Sequence, residues 1–124
     1  MENVLDEHFK NDELLLRAVY PPERYSKFWK NGRLSSVALK DKNGLSVNRT
    51  ADLSMEKAVE IMKNSFSGYI FSIPVCLCLE VKAYLTYCPS KNNIYHSEIH
   101  GSETQVILDD EQALRLARKA VCVG

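Results

Sequence analysis

The chain has 124 residues, 45% apolar and 26% charged, a composition that suits one soluble domain burying its own core. Its 16 Lys and Arg balance its 16 Asp and Glu, so it carries no basic footprint for duplex nucleic acid. The acidic first residues lack a signal-peptide layout, and the longest apolar stretch, residues 69–87, is interrupted by Pro74, Glu80 and Lys82, which argues against a membrane span.

Taken in chain order, residues 1–12 are polar and expected to be partly ordered, leaving 13–124 as a single α+β domain. Residues 13–19 read as a first strand, ended by Tyr20, Pro21 and Pro22 because consecutive prolines stop a regular ladder. Alternation puts Arg17 on one face with Leu15 and Val19, and Leu14, Leu16 and Ala18 on the other. Residues 23–30 form an aromatic connection with room for one helical turn, carrying Tyr25, Phe28 and Trp29, and Asn31-Gly32 signals a turn. A second strand is expected over 33–40, a hairpin-type break over 41–44 and a short strand over 45–49.

Ser54 can cap the clearest helix, whose face holds Met55, Ala58, Val59, Met62 and Phe66 at helical spacing. Ser67-Gly68 ends it. Strands are expected over 69–75 and 82–87, with 76–81 between them readable as strand or short helix. A loop over 88–93 leads into a strand over 95–101. The last helix starts near Asp109 or Asp110, with acidic residues at its positive end and Arg115, Arg118 and Lys119 toward its negative end. Its expected buried stripe is Ala113, Leu114, Ala117, Ala120 and Val121. Strands grouped around two main helices point to a small mixed or antiparallel sheet of the α+β class, not a wound parallel sheet. Cys76, Cys78, Cys88 and Cys122 show no zinc-finger or redox spacing and read as small buried hydrophobes in a reducing cytoplasm.

Chemistry is densest at His96-Ser97-Glu98-Ile99-His100. On a strand, His96, Glu98 and His100 share a face. Such a row serves as a solvated sheet face, as a metal-free acid–base or ligand site, or as part of a metal site, since imidazole and carboxylate suit Zn²⁺ or Fe²⁺. Same-face neighbours on a strand lie about 7 Å apart and the outer pair roughly twice that. A metal there needs a ligand from another segment, and the remaining histidine is His8, so no metal is assigned. Arg17, between apolar neighbours, calls for an anion, either an internal carboxylate or a ligand phosphate gripped by its fork. Trp29 with its aromatic neighbours can stack a ring or simply anchor a loop, and Arg33, Lys40 and Arg49 are phosphate contacts or plain surface charge. The absence of P-loop, GxGxxG, GxSxG and HExxH motifs removes the common readings that depend on them.

Residues 14–21, 32–40 and 44–47, with Pro89 and 95–99, resemble a widespread group of small bacterial proteins that carries no assigned activity. The order Arg on the first strand, Ser on a later strand and Glu on a late strand is also similar to the Arg–Ser–Glu arrangement of ADP-ribosyltransferase-type folds, which include the NAD-consuming toxins of toxin–antitoxin pairs. Leu45-Ser46-Val47 stands where that family has Ser-Thr-Ser, and His96-Ser97-Glu98 where it has Glu-x-Glu or Gln-x-Glu. The resemblance implies that Arg17 clamps dinucleotide phosphates and that Ser46 supports Arg17 and the nicotinamide ribose. It implies that Glu98, with His96 as the second catalytic candidate, stabilises an oxocarbenium-like transition state as nicotinamide leaves. Arg33, Trp29 and His100 complete the candidate ligand set.

The leading expectation is a cytoplasmic protein in a toxin or defence setting that binds NAD or a related phosphorylated nucleotide, as ligand or as substrate for cleavage or transfer, with no separate cofactor. Whether it is an enzyme stays open. Two other classes stand beside it. One is a non-catalytic interaction module (antitoxin, immunity protein, inhibitor or ligand sponge) with a protein partner encoded nearby, and the other is a metal-dependent hydrolase using His96 and His100. A homodimer through an open sheet edge, such as residues 69–75, stays open as well.

Overall fold

In chain order the strands are β1 (Leu14–Val19), β2 (Trp29–Lys30), β3 (Arg33–Leu34), β4 (Leu45–Arg49), β5 (Tyr69–Pro74), β6 (Tyr84–Tyr87), β7 (His96–His100) and β8 (Val121–Cys122). The helices are α1 (Met55–Ser65), α2 (Val75–Glu80) and α3 (Asp110–Lys119). The structure, a computed structural model, describes residues 9–124. Six strands form one sheet in the order β6-β7-β4-β1-β5-β8, every neighbouring pair antiparallel, and β2 and β3 form a separate ribbon. This is the α+β architecture the sequence implies.

Alternation along the strands gives the sheet two buried faces. Leu16 and Ile70 point to one and pack under Ala58 and Met62 of α1. Leu15, Leu45, Ile73 and Ile99 point to the other and meet α2, α3 and Leu39. These six strand side chains are at most 1% exposed, and fully burying each contributes about 1.5–3 kcal/mol. Ser54 caps α1 by accepting from the Lys57 N–H, and Asp109 with Gln112 forms a capping box on α3. Gln112 is buried, and its Nε2 also donates to Val81 O (3.0 Å) and Gly101 O (2.8 Å), which ties the first turn of α3 to the end of β7.

Several expectations need correction. The strand expected over 33–40 is only two residues long, and Ser36–Leu39 is a 3₁₀ turn capped by Ser35. Ser35 accepts from the Val37 N–H, and the Ala38 and Lys40 N–H groups donate to Ser35 O and Val37 O, so local bonds take the place of a strand ladder. The ambiguous stretch after β5 is helix α2, with Pro74 at its N-cap position, where a missing N–H costs little. The stripe of α3 is Ala113, Leu116 and Ala117, while Leu114 and Val121 are exposed. Phe66 is exposed as well. The 69–75 segment, considered above as an open edge, lies between β1 and β8. His8 lies outside the described residues, and Phe9 is buried in the main core. Among the described residues no helix is long and apolar enough to cross a membrane.

Candidate functional site

β1 zips along β5 from Leu14↔Pro74 to Val19↔Tyr69, but it pairs with β4 only at Leu15↔Arg49 and Leu16↔Asn48. β4 instead stays with β7, from Leu45↔Ile99 to Asn48↔His96. Beyond Leu16 the two central strands part, and a hollow of about 540 Å³ opens there. Arg17, Ser46 and His96 line it, together with Tyr20 and Arg24 beyond β1 and Phe66 at the end of α1.

Arg17 leaves the sheet on the face opposite to Ser46 and Glu98, as alternation requires. Its guanidinium bridges the parting, with Nη1 donating to Ser46 O (3.2 Å) and Nη2 to Ala38 O (3.4 Å). Nε is enclosed and has no hydrogen-bond partner among the described residues. Burial pushes the Arg17 pKa below its ordinary value, and the charge of Asp41 offsets part of that. The group is therefore a desolvated cation held by neutral carbonyls at long hydrogen-bond distances.

On the other face, α1 packs over β1 and β5 and leaves the β4–β7 half to the histidine row. His100 Nε2 lies 2.8 Å from Glu98 Oε1, and His96 Nε2 lies 3.6 Å from Glu98 Oε2. The three side chains are 18–27% exposed. Gly44 closes the 41–44 turn with φ +101, and a Cβ there would stand 2.6 Å from Glu98 Oε1 and 3.0 Å from His100 Nε2. The turn therefore needs glycine for its backbone, and a methyl there would also push the Glu98 carboxylate aside.

The structure brings Arg17, Ser46 and His96 to one hollow. Ser46 also faces Glu98 across the β4–β7 pairing, but neither Glu98 nor His100 lines the hollow. Trp29 and Arg33 line a different cavity of about 560 Å³, with Tyr69, Phe71 and Arg118. Trp29 donates to Tyr20 O (2.8 Å) and packs edge-on against Tyr69, so it anchors its loop to the sheet. Of the other cations, Lys40 pairs with Asp110 and Arg49 with Glu13.

Sequence reasoning missed Cys88. Its N–H donates to His96 O (3.1 Å), which extends the β6–β7 pairing by one step and sets Cys88 opposite His96. Ligand atoms of Cys88, His96 and Glu98 all lie within 4.8 Å of one another. Burial, then the charge of Glu98, push the Cys88 thiol pKa up. The signal was non-local: a strand ending at a cysteine, a loop, and a return strand beginning at a histidine form a hairpin whose register pairs the two. Of the four free cysteines only Cys78 is the buried hydrophobe expected, its pKa pushed up to about 12 by burial, while Cys76 and Cys122 are exposed.

Compared with known proteins, the chain matches no family model, no curated protein and no solved structure.

Proposed function

We propose that this protein binds a phosphorylated aromatic small molecule of the nucleotide class, such as NAD or ADP-ribose, in the hollow between β1 and β4. One observation carries the reading: the Arg17 guanidinium on the wall of the hollow is desolvated, bonds only to neutral carbonyls and has no ion-pair partner among the described residues. A desolvated cation is stabilised most by an anion that can accept from a planar fork, and phosphate does this. Arg24 adds a second positive charge, held 4.2 Å over the Tyr20 ring. Phe66, more than 40% exposed, offers a face for a base or nicotinamide ring, as does the side of Tyr20 that Arg24 leaves uncovered. The volume of about 540 Å³ is that of an ordinary small-molecule site.

Binding, and not cleavage, is proposed. Glu98, the carboxylate that the resemblance assigns to the transition state, is engaged by His100 and lies outside the lining. Calorimetric titration with NAD, ADP-ribose, adenosine and inorganic phosphate tests the reading. ADP-ribose and NAD should saturate one site, adenosine should bind far more weakly, and Arg17→Met should weaken ADP-ribose binding at least tenfold. Failure of both nucleotides to bind, or equal binding by Arg17→Met, refutes it.

A further inference from the structure

We infer that Cys88, His96 and Glu98 form a site for a borderline-soft divalent metal ion of the Zn²⁺ type. The row on β7 alone cannot close around one ion, because His96 and His100 are too far apart along the strand. Cys88 removes that obstacle by coming from the neighbouring chain segment, directly opposite His96. Two ligands then stand two residues apart on one face of β7, and the third completes a triangle across the hairpin.

Bond lengths of about 2.0 Å to N or O and about 2.3 Å to S set tetrahedral ligand separations of roughly 3.3–3.5 Å. The separations here are up to 4.8 Å, so binding an ion draws the ligand atoms together by as much as about 1.3 Å. The donor set selects the ion. A thiolate with an imidazole favours Zn²⁺ and Co²⁺ over Mg²⁺ and Ca²⁺. On binding, the Cys88 thiol gives its proton to solvent, and thiolate plus carboxylate then balance the two charges of the ion. His100, 2.8 Å from Glu98 Oε1, holds the carboxylate from outside, as second partners of metal-bound carboxylates do. Partial exposure of all three ligands leaves a fourth position to water, the pattern of an exchangeable or catalytic site and not of a closed structural one. His96 also lines the nucleotide hollow while Cys88 and Glu98 do not, so the metal site abuts that hollow, and the thiolate band, which reports Cys88 alone, is independent of whether a nucleotide binds.

The test is titration of tag-free, metal-stripped protein with Co²⁺ and Zn²⁺. One equivalent of Co²⁺ should bind and produce a thiolate-to-cobalt absorption band, and Zn²⁺ should displace it and raise the melting temperature. Cys88→Ser should lose the band, and His100→Gln should weaken Zn²⁺ binding about 10–100-fold. Cys76→Ser and Cys122→Ser should bind as the parent does. Absence of the thiolate band in the unmodified protein overturns the site whether or not any variant folds. So does a band that survives Cys88→Ser or that disappears in Cys76→Ser.

Discussion

Replacing Arg17 with methionine separates a residue kept for binding from one kept for stability. Methionine retains most of the apolar stem, so the packing loss is small. The guanidinium forfeits two bonds to neutral carbonyls, at 3.2 and 3.4 Å, each worth about 1.5 kcal/mol, the low end for a charged donor because both are long. Against this, the substitution removes an enclosed Nε that has no acceptor among the described residues, a penalty of about 1–3 kcal/mol. The two effects nearly cancel, and the variant should unfold in urea within about 1 kcal/mol of the parent. Its affinity for ADP-ribose should nonetheless collapse. Urea titration followed by far-ultraviolet circular dichroism gives the first quantity and calorimetry the second. A stability loss of about 3–5 kcal/mol, the signature of a broken buried ion pair, would refute this account of Arg17.

Gly44→Ala should cost about 1–3 kcal/mol in urea unfolding through the backbone strain of a side chain at φ +101, while the Glu98 carboxylate, 2.6 Å from the added methyl, swings aside. Gln112→Ala should cost about 2–3 kcal/mol by the same measurement, through loss of the bonds to Val81 O and Gly101 O and of half the capping box. Glu13 is 1% exposed and accepts from Arg49 and from the N–H groups of Lys10 and Ala51. Burial pushes its pKa up, but these donors outweigh burial and hold it below the ordinary 4.5. Its contribution to stability is therefore fully present above that ordinary value and is lost as pH falls through the lower folded one. Glu13→Gln should lose roughly 2–4 kcal/mol at neutral pH, and its stability should fall less steeply in acid than the parent's. Parallel acid limbs in pH-dependent unfolding would contradict that assignment.

Much of the fold was legible wherever a local rule operates alone. β1, β4, β5 and β7 follow from alternation, and α1 and α3 from apolar spacing and the caps Ser54 and Asp109. The reading failed where tertiary placement decides. Residues 33–40 suggest a strand, but the Ser35 cap and the bonds from Ala38 N–H to Ser35 O and from Lys40 N–H to Val37 O wind 36–39 into a 3₁₀ turn. Leu114 fits a helical stripe as well as Leu116 does, and only the direction of the core separates them. The site shows the same division. The row of His96, Glu98 and His100 is a property of one strand and was visible. The pairing of Cys88 with His96, the reach of Arg17 to Ser46 O and the close pass of Gly44 all depend on which strands become neighbours.

The parting of β1 from β4 has a mechanical side. The two strands are fastened at one end by Thr50, whose N–H and hydroxyl both donate to Leu14 O, and they are open at the other. The sheet is thus two panels, β6-β7-β4 and β1-β5-β8, joined like the boards of a book along a short spine. Amide protons near the open margin should exchange with solvent sooner than those along the β1–β5 seam. Any occupant that grips both boards would act as a clasp, slowing that exchange from a distance and linking its own grip to how wide the book lies open.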